Sequence, residues 1–396
     1  MNDSGVKIEV HLIQNFAPSN LNRDDTGQPK SATFGGFRRA RVSSQCGKRA
    51  ARDWWRDRGT VTVGDRTKRL QKLIGEKLAQ DKDFSKRVTD EEARENGIRL
   101  FTGAYYAGAD NKKPENTNVL IFIGPDEVNV CAQAVKEIWD GEIKGKTELK
   151  PRKEIQDRIN AAQVSADIAL FGRMLAEQPG RNTDGACQVA HPISTHKVDM
   201  EMDFYTAVDD LNPEEETGAG MMGVVGFNSA CFYRYALVDR DQLARNLARK
   251  TERKDGKWAK PLEAQDYEEA DTVIKAFLEA MVYAIPTGKQ NSFAAQNLPS
   301  FGLFVRRQGG VPISLANAFA KPVRPTKEDD DLVGLSVGRL TSHWDSINQV
   351  YGKQGGVQAT ACFHIDLQNR LNGLSASAKK SVEDAINAVM EAQKKQ

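Results

Sequence analysis

Extended segments with a two-residue apolar period recur along this chain, but long helical stretches separate them, and that interleaving constrains the fold more than any other feature. Residues 6–14 alternate through Ile8, Val10 and Leu12 before the turn-rich Ala17-Pro18-Ser19-Asn20, which predicts an opening, central strand. Residues 227–238 put Phe227, Ser229, Cys231, Tyr233, Tyr235 and Leu237 on one side, the pattern of a half-buried strand. Shorter strands are expected at 119–124, 166–171 and 299–307, and helices at 45–58, 127–137, 239–247, 263–284 and 375–394. Residues 60–115 are charged, helix-rich and weakly periodic, as an inserted lobe would be. No glycine fingerprint for a dinucleotide and no internal repeat accompany the alternation, so the fold class is α+β, a sheet with inserted lobes. At 396 residues and 39% hydrophobic content, the chain can bury a full core in two or three structural units.

Charge is unevenly placed. The formal net charge is only +2, yet between Gly36 and Gly59 the cations Arg38, Arg39, Arg41, Lys48, Arg49, Arg52, Arg56 and Arg58 face only Asp53 and Asp57, a local excess of +6. The segment joins Asn20-Leu21-Asn22-Arg23-Asp24-Asp25 and Phe34-Gly35-Gly36 to a helix capped by Ser43 or Ser44 and stopped by Gly59. Guanidinium forks, hydroxyls and an amide leading into a helix are what is needed to hold phosphates, so nucleic acid is the first partner to consider. Lys48 and Arg52 share one helical face. The opposite block, Asp199, Glu201, Asp203, Asp209, Asp210, Glu214, Glu215 and Glu216, carries −8 with no Lys or Arg and could complement the basic patch of a neighbouring copy. It lies within residues 192–227, which read as two extended arms joined by a tip, a protruding hairpin.

Other classes find little support. Cys46, Cys131, Cys187, Cys231 and Cys362 are odd in number, widely spaced and form no C-x-x-C pair, so neither a disulfide framework nor a zinc knuckle is indicated and a reducing cytoplasm fits best. Residues 1–10 lack a basic region before an apolar one, and the run 119–123 is too short to span a bilayer. Of the five histidines only His191 and His196 are close in sequence, with spacing poor for shared metal ligation, and no nucleophile elbow accompanies any Ser-His-Asp or Cys-His set. Asp24-Asp25 could hold magnesium beside a phosphate, but ordering their own loop is the better reading. Met174 follows a strand-like stretch and could wedge between bases, although core packing is the usual fate of such a methionine. Phe204-Tyr205-Thr206 offers rings and a hydroxyl for stacking, which sheet packing would equally explain.

Taken together, Leu21-Asn22-Arg23-Asp24-Asp25, Phe34-Gly35-Gly36, Arg38-Arg39-Ala40-Arg41-Val42-Ser43-Ser44-Gln45, Lys48-Arg49, Asp167-Ile168-Ala169-Leu170-Phe171-Gly172-Arg173-Met174, Asp184-Gly185-Ala186, Thr195-His196, Phe204-Tyr205-Thr206-Ala207-Val208-Asp209-Asp210-Leu211, Phe232-Tyr233-Arg234-Tyr235-Ala236 and Ser314-Leu315-Ala316-Asn317-Ala318-Phe319 resemble, in order and from end to end, the CasC (Cse-type) backbone subunit of the type I-E CRISPR Cascade complex. The resemblance implies an RRM-like (ferredoxin-like) palm with a helical fingers insertion and a β-hairpin thumb, a right-hand shape. It divides the chain into palm at 1–59, fingers at 60–150, palm at 151–193, thumb at 194–226 and palm at 227–396. Several copies would stack along CRISPR RNA, each thumb displacing a nucleotide of the guide, so that the guide is presented in segments to target DNA. Carried onto matching positions, Arg23, Arg41, Ser43, Gln45, Lys48, Arg49 and Arg52 would contact RNA backbone, while Met174, Phe204, Tyr205 and Thr206 would shape the kink. The implied partners are CRISPR RNA, target DNA through guide pairing, other copies of the chain, the large, small, guide-end-capping and RNA-processing Cascade subunits, and a recruited helicase-nuclease.

The resemblance implies no cofactor, no metal and no catalysis. Gly47 departs from it, since the family has a better helix former there, and a mid-helix glycine costs about 1 kcal/mol against alanine. The alternative is a metal-dependent ribonuclease of the related type III kind, with Asp24 or Asp25 as the catalytic carboxylate.

Overall fold

The computed structural model describes residues 5–175, 178–207, 221–328 and 330–391, apart from the side chain of residue 353. Its contacts group into two units, one of Met1–Trp54, Gln188–Asp239 and Ile274–Gln396, the other of Trp55–Cys187 and Arg240–Val273.

The first unit is built on an antiparallel sheet. Strand β1 (Val6–Ser19) is followed by β2 (Ser31–Phe34), β3 (Phe37–Ala40) and helix α1 (Ser44–Arg58), of which the last four residues belong to the second unit. Later come β4 (Ile193–Ser194), β5 (Glu201–Ala207), β6 (Met221–Asp239), β7 (Phe301–Gln308), α2 (Leu332–Tyr351), β8 (Val357–His364) and α3 (Val382–Met390). The ladder runs β8–β7–β1–β6, with Val10 of β1 opposite Phe304 on one side and Ala236 on the other. The opening strand is therefore central, as expected. Its polar positions are buried as well: Glu9 pairs with Arg307 at 2.5 Å, both fully buried, and accepts from Tyr235 Oη at 2.8 Å, while His11 meets Tyr233 Oη at 2.9 Å. Those partners allow the alternating strand to be covered on both faces. One face joins Ile13, Cys231, Tyr233, Leu237, Leu303 and Val305 to Val337, Leu340 and Trp344 of α2.

Strand β6 spans 19 residues, about 60 Å at strand rise, so it serves two roles. Its second half pairs with β1, and its first half leaves the sheet to pair with β5, from Glu201 opposite Phe227 to Ala207 opposite Met221. Both arms of the expected hairpin are thus present. Its tip, including Asp209, Asp210, Glu214, Glu215 and Glu216, lies outside the described residues.

The second unit is mostly helical, with helices at Leu70–Gln80, Lys82–Arg87, Glu91–Tyr105, Pro125–Ile138, Lys153–Ala161, Ala166–Phe171 and Arg240–Leu247. Its core gathers Leu70, Ile74, Phe84, Phe101, Val135 and Trp139. Asp81 and Asp90 cap two of these helices by accepting from backbone amides. The weak periodicity of 60–115 conceals helices at Leu70–Gln80, Lys82–Arg87 and Glu91–Tyr105 that bury Ile74, Phe84 and Phe101.

Two expectations are corrected. Residues 166–171 form a helix, because Asp167 is buried and takes Ser165 Oγ at 2.7 Å and the Gly64 amide at 2.9 Å on one oxygen, bonds that anchor the first turn. A short apolar run does not by itself distinguish a strand from a buried helical turn. The terminal helix is only Val382–Met390, started by Ser381, whose hydroxyl accepts from the Asp384 amide, while residues 372–377 make a tighter turn.

The two-residue hairpin turn Gly35-Gly36 has φ of +60° and +82°, the requirement of a type I′ connection. A Cβ on Gly35 would also overlap the Ala320 carbonyl. The pair is a turn seated on the 316–320 segment, and its glycines are needed there whatever binds nearby. Gly35→Ala should therefore destabilise the protein by about 1–3 kcal/mol, checked by denaturant unfolding, whereas Gly36→Ala, which meets no neighbour within 4 Å, should show the smaller loss of positive φ alone.

Candidate nucleic-acid interface

The loop after β1 is held by asparagines. Asn20 is fully buried and its amide nitrogen donates to the carbonyls of Gly27 at 3.0 Å and Gly226 at 2.9 Å, tying both ends of the loop to the base of the hairpin. Asn22 accepts the Ser43 amide at 2.8 Å, which fixes the loop against the start of α1. Within the loop, one oxygen of Asp24 accepts from Thr26 Oγ1 at 2.7 Å and from the amides of Thr26 and Gln28 at 2.9 and 3.0 Å. Asp24 therefore does what its loop-ordering reading required. The Thr26 hydroxyl bond, followed by the Gln28 and Thr26 amides, lowers its pKa.

Helix α1 starts at Ser44 with Ser43 as its cap: the Cys46 amide donates to Ser43 Oγ at 3.3 Å. Its first turn holds no acidic side chain. The positive end of the helix dipole is thus left beside Lys48 and Arg49 with no carboxylate in that turn, an arrangement that favours an external anion. Arg23, Asp24, Asp25, Arg49 and Asp53, with Cys46 and the 286–288 backbone, line an open cleft of about 560 Å³. Arg49 Nε contacts Asp53 at 2.7 Å, but Arg49 is two-thirds exposed, so this is a surface pair that a phosphate can displace at little cost. Gln45 is exposed and Lys48 half-buried on the same helix. Arg41 lies half-buried, its guanidinium 2.8 Å from His191 Nδ1 and 3.3 Å from the Ser31 carbonyl. Partial burial, then the charges of Arg41 and Lys30, lower the pKa of His191 and keep it a neutral acceptor.

Two of the expected backbone contacts, Arg52 and Ser43, and one further cation of the segment, Arg39, are buried. Arg52 is 4% exposed and offers almost no surface to a polyanion. Ser43 is buried with its hydroxyl engaged as the helix cap. Arg39 is fully buried, donating to the carbonyls of Ser194 at 2.9 Å and Phe319 at 2.6 Å, and so fastens β3 to β4 and to the 316–319 turn. Sequence reasoning counts a cation without knowing whether carbonyls surround it.

The aromatic candidates are exposed. Every residue of β5 is exposed, with Phe204 at 62%, and Met202, Met221, Met222 and Val224 extend the apolar ribbon. Tyr205 lies opposite Gly223, whose missing side chain leaves room for the ring. Thr206 faces Met222. Met174 belongs to the second unit and is 83% exposed, so the core-packing expectation fails there. Its neighbours explain the exposure: Arg173 is buried in an ion pair with Glu127 at 2.5 Å, and the Leu175 amide donates to Asn182 at 2.6 Å. Asn20 escaped sequence reasoning, since an asparagine before a turn is too common to read as a clamp.

The first unit is α+β and brings together a loop pinned by Asn20 and Asn22, a capped helix start and a hairpin arm that is exposed throughout. The model of the CT1975-like protein family matches residues 8–389, and the chain belongs to that family. Its fold is similar to that of a chain of a "CRISPR RNA-guided surveillance complex, pre-nicking" (27% identity, TM-score 0.78, covering 98% of this chain and 99% of that chain). A second "CRISPR RNA-guided surveillance complex" chain shares the fold at 24% identity and a TM-score of 0.73, covering 98% and 99%. No curated protein matches the chain. Among the described residues no helix is long and apolar enough to cross a membrane.

Because the folded-state pKa of Asp24 is depressed, its bonds contribute fully above the ordinary aspartate value of about 3.9 and are lost as pH falls through the folded value. Hydrogen exchange of the Thr26 and Gln28 amides should show less protection in Asp24→Asn than in wild type at neutral pH, and the two should converge in acid. A difference that persists in acid would contradict this role.

Proposed function

We propose that this chain is the repeating guide-RNA-binding backbone subunit of a Cascade-type surveillance complex of subtype I-E. The observation that carries the reading is that Arg23 and Arg49 share one open cleft, with Asp24, Asp25 and Asp53, beside a helix whose first turn holds no acidic side chain, in a chain 27% identical to a chain of a "CRISPR RNA-guided surveillance complex, pre-nicking". In this reading residues 1–59, 151–193 and 227–396 make the RRM-like palm, the 194–226 hairpin is the thumb, and the helical region at 60–150 forms the fingers. Arg23, Arg41, Gln45, Lys48 and Arg49 contact phosphates, while Phe204, Tyr205 and Met174 stack against or displace bases.

The chemistry suits a scaffold. Phosphate contacts tolerate any guide sequence, and base pairing carries the specificity. Successive copies add head to tail along the strand, a heterologous contact that extends with the RNA. The other Cascade subunits and a recruited helicase-nuclease act on the target DNA that the guide selects. The chain itself acts without catalysis, and Asp24, with one oxygen already accepting three hydrogen bonds, serves the loop.

Replacing Arg23, Lys48 and Arg49 by Gln should weaken binding to every single-stranded RNA alike and flatten the dependence of log K on log salt by about 2. Phe204→Ala with Tyr205→Ala should instead weaken binding by about 1–3 kcal/mol per lost stack while leaving the slope unchanged. Anisotropy titrations over a salt series separate the two. Magnesium-dependent cuts in complementary RNA that vanish in Asp24→Ala or Asp25→Ala would favour the ribonuclease instead.

A further inference from the structure

A separate concavity in the first unit, in sequence far from the loop and α1, is lined by arginines. Arg324, Arg339 and Arg370, from three separate segments, line an open cleft of about 470 Å³ with Ser342, Asn369 and Asn372, and among the described residues no carboxylate lines it. Arg324 is exposed and the other two are half-buried. Arg339 is fixed by donation to the Lys321 carbonyl at 2.7 Å. The stem of Arg370 crosses α2 at Gly338, where a Cβ would sit 3.7 Å from its Cδ. Asn372 is held by Thr341 Oγ1 at 2.8 Å and Ser342 Oγ at 3.1 Å.

Like charges brought together repel one another, and on a chain of net charge +2 nothing in bulk composition requires their convergence. Three guanidinium forks without a lysine among them, rimmed by neutral amides and a hydroxyl, match the planar, multidentate recognition of phosphate more closely than a diffuse attraction to acid.

We propose that this cleft is a second phosphodiester-binding site, able to grip a backbone independently of the loop and helix. The proposal rests on the reading above only in taking nucleic acid as the ligand, and its test separates the two. The full chain is titrated with labelled single-stranded RNA and DNA of mixed sequence over a salt series. Three variants are compared with wild type: Arg324→Gln/Arg339→Gln/Arg370→Gln, Arg324→Gln alone, and the Gln substitutions of Arg23, Lys48 and Arg49. The cleft triple should bind roughly tenfold or more weakly near physiological salt, with a slope shallower by about 2, and Arg324→Gln alone by about 0.7.

A larger loss on RNA identifies the guide as the source of the phosphates; a larger loss on DNA identifies a second strand. If the triple variant melts early, the exposed single substitution carries the test. Unchanged affinity and slope on both nucleic acids overturns the proposal, and doing so with weakened self-association in sedimentation assigns the cleft to an acidic protein segment instead. An unaffected loop variant would count against the proposed function alone.

Discussion

The buried amide of Asn20 is the interaction on which the candidate interface depends. By donating to Gly27 and Gly226 it joins the loop after the central strand to the strand that becomes the hairpin, and Asn22 then links the same loop to the start of α1. Arg23, Asp24 and Asp25 stand between those two anchors. A loop free to move would lose much of any electrostatic gain from Arg23 to ordering entropy on each binding event, whereas a pre-ordered one keeps it.

Charge and burial divide the cations into two kinds. Arg39 satisfies carbonyls and Arg52 is buried, so both belong to the architecture. Arg23 and Arg49 open onto a cleft, and Arg324, Arg339 and Arg370 open onto another. A chain of near-zero net charge can thus place arginines at two clefts, the first sharing its lining with Asp24, Asp25 and Asp53 and the second with no described carboxylate. The hairpin adds an element of a different character, exposed rings and methionines.

Much of this was legible in the sequence because it rests on local patterns. The central strand, the capped helix, the long strand through Tyr233 and Tyr235 and the two hairpin arms all follow from period, caps and turn residues. The helix at 166–171 was not legible, since its deciding contacts are Asp167 to Gly64 and Ser165, the first of them remote in sequence. The burial of Arg39 likewise depends on carbonyls remote in sequence, that of Arg52 has no local signature, and Met174 stands exposed because Arg173 and Leu175 on either side of it are anchored. The cleft of Arg324, Arg339 and Arg370 has no sequence signature at all, being assembled only by the tertiary fold.

The central claim is that the chain grips a ribose-phosphate strand without reading its bases, so that copies follow one another along it. Native mass spectrometry of the chain with single-stranded RNAs of unlike sequence and increasing length tests this most directly. The account predicts that bound copies rise in regular steps with RNA length and by the same step for every sequence. One copy at every length, or occupancy that follows base sequence, would contradict it.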